Sequence, residues 1–116
     1  MSDRSALNPS EAAKAAAALK GPDIEGWAAR FEMLSEPNRL RILHCLHHIP
    51  GLCVSDLAAA VGMSPTAVSQ ALRLLRQRGL VSYTRMGRIV RYQLSDDPTH
   101  SLLHQMGAVH GHNHHH

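Results

Sequence analysis

The chain has 116 residues, a length that fits one domain. Apolar residues make up 44% of it but aromatic residues only 3%, so the core must be built from Leu, Ile, Val, Met and Ala. The net charge is +3, and two cysteines are too few for a disulfide framework. We find neither an N-terminal stretch of the signal-peptide type nor a run of about 20 apolar residues that would span a membrane. We therefore expect a soluble cytoplasmic protein.

Three helices are predicted in the first half of the chain. Residues 1–9 are polar and are expected to form a loose tail, and the Ala-rich segment 10–19 predicts a first helix with a serine cap. Asp23 caps a second helix, and Pro37 stands in the first turn of a third. The predicted apolar face of this third helix consists of Leu40, Ile42, Leu43, Leu46 and Ile49.

The next two helices are separated by a short turn that contains a glycine. Residues 52–54 are an apolar run that predicts a short strand. Ser55 then caps a helix that Gly62 ends, and Ser64 caps the following helix over 65–77. Helix, short turn and helix is the pattern of a helix-turn-helix.

After Gly79 the pattern changes to that of strands. Segments 80–84 and 89–94 are rich in β-forming residues, and the turn between them, 85–88, contains a glycine. Asp97 begins a final helix, whose apolar positions are Leu102, Leu103, Met106 and Val109. The predicted fold is mainly α with a small β-hairpin, which is the arrangement of a winged helix-turn-helix.

Arginines concentrate in the predicted helix-turn-helix and hairpin. Residues 57–95 contain six arginines and no Asp or Glu, which is typical of a surface that binds nucleic acid. The alternatives are a merely solvated basic surface and a winged helix used only for protein contacts. In this motif the second helix reads base edges in the major groove, and the hairpin approaches the backbone or the minor groove. The predicted DNA-binding residues are Ser64, Thr66, Ser69, Gln70 and Arg73 on the helix and Arg85, Arg88 and Arg91 on the hairpin.

Several segments resemble the ArsR/SmtB family of metalloregulators. They are FEMLSEPNRLRIL at 31–43, LCVSDLA at 52–58, VSQALRLL at 68–75 and GLV at 79–81, and the resemblance covers about residues 24–110. It implies a homodimer of winged helices, joined through the first and last helices, that represses an operon for metal efflux or detoxification. In the family a His usually stands just before the Leu of the recognition helix. Ala71 takes that place here, so the family's base preference is not carried over.

The resemblance implies two kinds of metal site, and the first uses the thiolates of a Cys-Val-Cys stretch. This chain has Cys53-Val54-Ser55 and retains only the first of these thiolates. Soft ions require two or three thiolates. Cys45 is the other sulfur, and its helical spacing with the apolar residues of the third helix indicates a small core residue. We therefore do not expect a thiolate site, and Cys53 is interpreted as a buried apolar residue of the short strand.

The second kind of site lies across the last helices of the two protomers. It uses an Asp and a His near the start of one helix and two His near the end of its partner. The candidates in this chain are Asp96, Asp97, His100, His104, His110 and His112. One alignment puts Asp96 in the Asp position but Pro98 in the His position, and a shifted alignment keeps His100, so the ligands are predicted as a group. Oxygen and imidazole ligands suit zinc, nickel or cobalt.

Other histidines lie outside this group. The tail 111–116 follows a winged domain predicted over 10–110, and it is either a native metal-binding tract or an appended purification sequence. The glycine and the asparagine that interrupt the tail favour a native tract. A separate cluster, interpreted as structural residues on the exposed side of the third helix, consists of His44, His47 and His48.

The sequence thus predicts a DNA-binding transcriptional repressor that leaves its operator on binding zinc, nickel or cobalt. The alternative is a winged-helix regulator of the same family that acts without metal and is either constitutive or redox-responsive. An enzyme is not expected, because we find no nucleophile paired with a base and little room for a deep pocket. The predicted partners are double-stranded operator DNA and a second copy of the chain.

Overall fold

The computed structural model describes the backbone of residues 8–113 and the side chains of residues 8–107. The helices in this part are α1 (Pro9–Ala18), α2 (Ile24–Leu34), α3 (Pro37–His48), α4 (Val54–Val61), α5 (Pro65–Gln77) and α6 (Asp97–Asn113). Strands β1 (Val81–Met86) and β2 (Ile89–Leu94) pair antiparallel between α5 and α6. The predicted class, mainly α with a small β-hairpin, is confirmed. None of the described helices combines the length and the apolar character needed to cross a membrane.

α1 begins one residue before the predicted serine cap. Asn8 is the N-cap, and its side-chain oxygen accepts hydrogen bonds from the amides of Ser10 and Glu11 at 2.9 and 3.3 Å. Pro9 takes the first helical position, where a missing amide proton costs nothing. The first seven residues of the predicted tail lie outside the described part. None of the residues of α1 is buried in the protomer.

α4 begins earlier than predicted, and the prediction that Ser55 caps it is wrong. Cys53 is the N-cap, and the helix begins at Val54. The predicted short strand is reduced to one bridge, in which the amide of Tyr92 in β2 donates to the carbonyl of Leu52 at 2.8 Å. Because this bond holds Leu52 beside β2, the chain enters α4 directly after Cys53, and Ser55 lies inside the first turn.

α3 is the central helix, and it packs against α2, α4, α5, α6 and β2. Its residues Ile42, Leu43 and Leu46 are at most 1% exposed. Ile49 was predicted on the same apolar face, but it is 59% exposed because it is the C-cap, where the backbone has left the helix. The other buried apolar residues are Met33, Leu57, Ala58, Val68, Leu72, Leu75, Leu80, Val81 and Leu103. The core therefore packs α4, α5, β2 and α6 around α3.

Candidate nucleic-acid interface and histidine cluster

α4 and α5 form the predicted helix-turn-helix. Gly62 ends α4 with a φ of 72°, in the left-handed region that favours glycine. Ser64 then caps α5, because its Oγ accepts a hydrogen bond from the amide of Ala67 at 3.1 Å. The hydroxyl proton of Ser64 is not used in this bond, so the side chain can still donate to a phosphate. The predicted glycine stop and serine cap are both confirmed.

α5 has one buried face and one exposed polar face. Val68, Leu72 and Leu75 are completely buried against the core, as predicted. The opposite face is exposed, and its residues are spaced three or four apart, so that they lie along one side of the helix. These exposed residues are Thr66, Ser69, Gln70 and Arg73. A hydroxyl, an amide and a guanidinium along one face are the groups that contact base edges and phosphates.

The three predicted arginines of the hairpin lie in its turn and on its two opposite faces. The turn is shorter than predicted and consists of Gly87, with a φ of 64°, and Arg88. Arg85 lies in β1 opposite Val90, whereas Arg91 is the next residue of β2. Because successive strand residues point to opposite faces, Arg85 and Arg91 lie on opposite faces of the hairpin. All three arginines are exposed, so a duplex on one face would contact Arg88 and only one of the other two.

One hairpin arginine already has a partner within the protein. The Nη1 of Arg91 donates to the carbonyl of Gly51 at 3.0 Å, which ties β2 to the segment before α4. Two further arginines of the basic segment were not assigned a role from the sequence. The guanidinium of Arg76 lies 4.9 Å from the ring centroid of Tyr83, and Arg78 lies 3.5 Å from Glu32. These contacts orient the basic surface around α5.

Asp96, a predicted metal ligand, already accepts bonds from protein groups. Arg30 of α2 donates to it from Nε at 2.8 Å and from Nη2 at 3.3 Å. The Thr99 hydroxyl and amide donate to its Oδ2 at 2.6 and 3.2 Å, so Asp96 also caps α6. Burial raises the pKa of Asp96, but the bonds from Arg30 and Thr99 outweigh burial and lower it overall. A metal ion that binds Asp96 would have to displace the hydrogen-bond donors of Arg30 and Thr99. The neighbouring carboxylate of Asp97 is exposed and therefore accessible to an ion.

The histidines of α3 and α6 form one cluster across the contact between these helices. The ring centroid of His47 lies 4.7 Å from that of His100 and 5.9 Å from that of His104. Within α3, the ring of His48 lies 4.6 Å from His44 and 5.5 Å from His47. These five are all the histidines that precede residue 108 in the sequence. We call them the histidine cluster.

The α3 members of the histidine cluster have the geometry of a metal site. Each of His44, His47 and His48 offers one ring nitrogen, and these atoms all lie within 4.8 Å of one another. Burial and the neighbouring histidines lower the pKa of His47, which favours the neutral imidazole that binds metals. The sequence placed these residues on the exposed side of α3, but His44 and His47 are half-buried. Their spacing of three and four residues was a signal in the sequence that could have indicated a shared site. The packing of α6 onto α3, which half-buries two of them, could not be read from the sequence.

The remaining predicted ligands are divided between described and undescribed side chains. His100 and His104 are exposed and stand one turn apart on α6. The backbone of His110 and His112 is helical, but their side chains lie outside the described residues, as does the side chain of Val109.

The two cysteines differ in environment. Cys45 is half-buried beside the core, as predicted, and burial raises the pKa of its thiol. Cys53 is the N-cap of α4 and not a strand residue, and its Sγ lies 3.1 Å from a carboxylate oxygen of Asp56 and 3.2 Å from the Ser55 hydroxyl. Because the thiolate is the reactive form of cysteine, a raised pKa disfavours a redox role for Cys45.

Comparison with known proteins gives one consistent answer. The family model of the bacterial regulatory protein arsR family matches residues 36–83, from the start of α3 into β1. A transcriptional repressor SmtB homolog of Synechocystis is 45% identical over 76 residues, which are 66% of this chain and 57% of the relative. The chain thus spans less than two thirds of the length of that curated relative.

Two solved structures extend the similarity over nearly the whole chain. The antimony-specific transcriptional repressor AntR is 32% identical and superposes with a TM-score of 0.72, over 95% of this chain and 97% of that one. A homodimeric winged helix-turn-helix DNA-binding domain of Mycobacterium bovis, described as a possible ArsR-family regulator, is 26% identical. It superposes with a TM-score of 0.67 over 95% of this chain and 94% of that domain.

Proposed function

The chain belongs to the ArsR family of bacterial regulatory proteins, and we propose that it is a dimeric transcriptional repressor that a divalent transition metal releases from DNA. The observation that carries the DNA-binding part is the exposed polar face of α5 beside an arginine-bearing hairpin, in a segment without acidic residues. Since we propose that the protein binds operator DNA, we expect it to act in the cytoplasm and not as an enzyme. The matching family is described as one of bacterial regulatory proteins.

The exposed face of α5 would enter the major groove. Gln70 has the side chain that pairs with adenine, and Arg73 has the side chain that pairs with guanine or a phosphate. Ser64, Thr66 and Ser69 would fix the helix on the backbone or add base contacts. Arg88, at the tip of the hairpin, would reach the flanking phosphates, together with Arg85 or Arg91.

A second copy of the chain would cover the apolar residues that α2 and α6 leave exposed. Phe31 is 54% and Met106 39% exposed, and Trp27 lines an open cleft with Leu102. Burying such residues in a symmetric contact is favourable, and two-fold symmetry lets two recognition helices read half-sites about one helical turn apart. The Mycobacterium bovis relative is described as homodimeric, which supports this arrangement.

The metal response would act through α6. We draw the ligands from the predicted group Asp96, Asp97, His100, His104, His110 and His112, in which the neighbouring pair His100 and His104 is exposed and suited to zinc, nickel or cobalt. A metal can weaken DNA binding only if it binds the DNA-free form more tightly. A site at α6 meets this condition if it fixes the recognition helices of the two protomers at an angle that does not match the half-sites. AntR, a relative of this shape, is described as an antimony-specific transcriptional repressor, which supports a metal response here.

A selection experiment tests the proposal. Duplexes that bind the apo protein are selected from a random library, and we expect an inverted repeat with half-sites about 10 base pairs apart. On the selected duplex, zinc, nickel or cobalt should release the wild type, whereas His100→Gln with His104→Gln should bind DNA normally and respond less. A library that yields no preferred sequence would contradict the proposal that α5 reads DNA, and full release of the double variant would exclude His100 and His104 as ligands.

A further inference from the structure

The histidine cluster brings together donors from two helices of the same protomer. His47 is its centre, because its ring lies beside His48 on α3 and beside His100 and His104 on α6. α6 approaches α3 closely here, since a Cβ added to Gly107 would lie 3.9 Å from Cε1 of His44. The cluster is therefore complete within one chain, unlike the group proposed for α6, which would join two chains.

The donor atoms are close to the spacing that a metal requires. Zinc–nitrogen bonds of about 2.0–2.1 Å in a tetrahedron place the nitrogens about 3.4 Å apart. The nitrogens of His44, His47 and His48 already lie within 4.8 Å of one another, so small rotations of the side chains close the gap. Residues three and four apart share one helix face, and the three rings therefore converge without any change in the backbone.

His47 also has an unsatisfied group. Its Nδ1 is buried and has no hydrogen-bond partner among the residues that the structure describes. A buried polar atom without a partner is unfavourable, and a nitrogen lone pair is satisfied by a metal ion as well as by a proton donor.

We propose that His44, His47 and His48 of α3, with His100 of α6, bind one divalent transition metal ion within a single protomer. Four imidazoles suit zinc, nickel or cobalt. His100 is assigned rather than His104 because its ring lies nearer to His47, at 4.7 Å against 5.9 Å. Three of the four ligands come from α3, so this site differs from the group proposed for α6 and shares only His100 with it.

The position of α3 gives metal binding at this site a regulatory consequence. This consequence rests on the proposed function, whereas metal binding at the site does not depend on that function. Buried Ile42, Leu43 and Leu46 hold α3 against the rest of the core, including α5. A metal that joins α6 to α3 would fix α6 relative to the recognition helix of the same protomer. Because α6 is also expected at the dimer contact, the ion would set the position of the recognition helix in one protomer relative to the recognition helix in the other.

Cobalt(II) binding to the protein in the absence of DNA tests the site. The parent is the full chain in which every histidine after residue 107 is replaced by Gln, namely His110, His112, His114, His115 and His116. We expect it to bind one ion per protomer with the intense visible absorption of tetrahedral cobalt. His47→Gln should weaken cobalt binding by at least tenfold, and so should His48→Gln, whose exposed position makes loss of folding a poor explanation. Thermal melts of both variants check the fold.

Glu25→Gln is the matched control, because Glu25 is an exposed carboxylate at the start of α2 and belongs to neither proposed metal site. It should bind cobalt as the parent does. Binding by His47→Gln and His48→Gln equal to that of the parent would overturn the site, and so would a larger loss in Asp97→Asn, which changes the group proposed for α6, than in His48→Gln. The cobalt titration contains no DNA, so it tests metal binding separately from DNA binding. A protein that binds cobalt through α3 in this titration, but stays on its operator when metal is added in a separate one, would contradict the proposed function alone. Conversely, metal-induced release that His48→Gln leaves intact would contradict the regulatory consequence of this site and would leave the proposed function standing.

Discussion

The guanidinium of Arg30 in α2 holds the carboxylate of Asp96 at the start of α6 through two hydrogen bonds, of 2.8 and 3.3 Å. Both side chains are about four-fifths buried, with relative exposures of 21% and 18%. Because α2 and α6 carry the exposed apolar residues of the proposed dimer contact, this ion pair fixes the relative position of the two helices that would meet the partner.

Asp96→Asn should destabilise the protein by about 1.5–3 kcal/mol, the range for hydrogen bonds to charged groups. Urea denaturation at pH 7 measures the loss. Asp97→Asn removes the neighbouring, exposed carboxylate and should cost less than half as much. Equal losses for the two variants would mean that the charge at the start of α6, rather than the bonds to Arg30 and Thr99, provides the stabilisation.

The same ion pair predicts a pH dependence. The pKa of Asp96 is lowered in the folded protein, so its contribution is complete above the unfolded value of about 4 and is lost as the pH falls through the folded value. The stability difference between wild type and Asp96→Asn should therefore be constant between pH 7 and 5 and shrink below about pH 4. A difference that instead shrinks between pH 7 and 5 would assign the titration to other groups.

Arg88→Ala should weaken binding to all duplexes and reduce the slope of log affinity against log salt by about 1 for each protomer, as loss of a phosphate contact does. Fluorescence anisotropy over a salt series measures both effects. Lys14→Ala is the control, because it removes one charge from exposed α1, which belongs neither to the helix-turn-helix nor to the hairpin. If Arg88→Ala and Lys14→Ala give the same slope, Arg88 does not contact DNA.

Gln70→Ala should lower affinity for the selected duplex by about 1–3 kcal/mol, the range for a bidentate base contact, and lower affinity for unrelated DNA much less. Competition between the two duplexes gives the ratio directly. Gln77→Ala is a matched control, since it is another exposed glutamine at the last residue of α5. Equal losses on both duplexes would make Gln70 a backbone contact.

Phe31→Ser should weaken the dimer, because the ring is 54% exposed in the protomer and gains burial only through a partner. Sedimentation at micromolar concentration should give a dimer for wild type without DNA and a larger monomer fraction for the variant. Met86→Ser, an exposed apolar residue on the hairpin, should leave the dimer unchanged. A wild type that sediments as a monomer both with and without metal would contradict the dimer.

Local patterns predicted most of the fold because they determine which residues can be buried. The helical spacing of Val68, Leu72 and Leu75 predicted the buried face of α5, and the exposed polar face followed from it. Helix starts were less predictable where a distant contact decides them, as the bridge from Tyr92 to Leu52 does for α4. The histidine cluster depends on the packing of α6 on α3, about 50 residues apart, which no local spacing encodes.

Operator affinity with and without metal tests the central claim most directly. The apo wild-type protein is titrated onto the selected duplex, and the titration is repeated with zinc, nickel or cobalt and again after a chelator is added. We expect at least one ion to weaken binding by roughly 5- to 150-fold, a coupling of about 1–3 kcal/mol, and the chelator to restore it. Affinity that is the same in the apo protein and with all three ions would contradict a metal-responsive repressor.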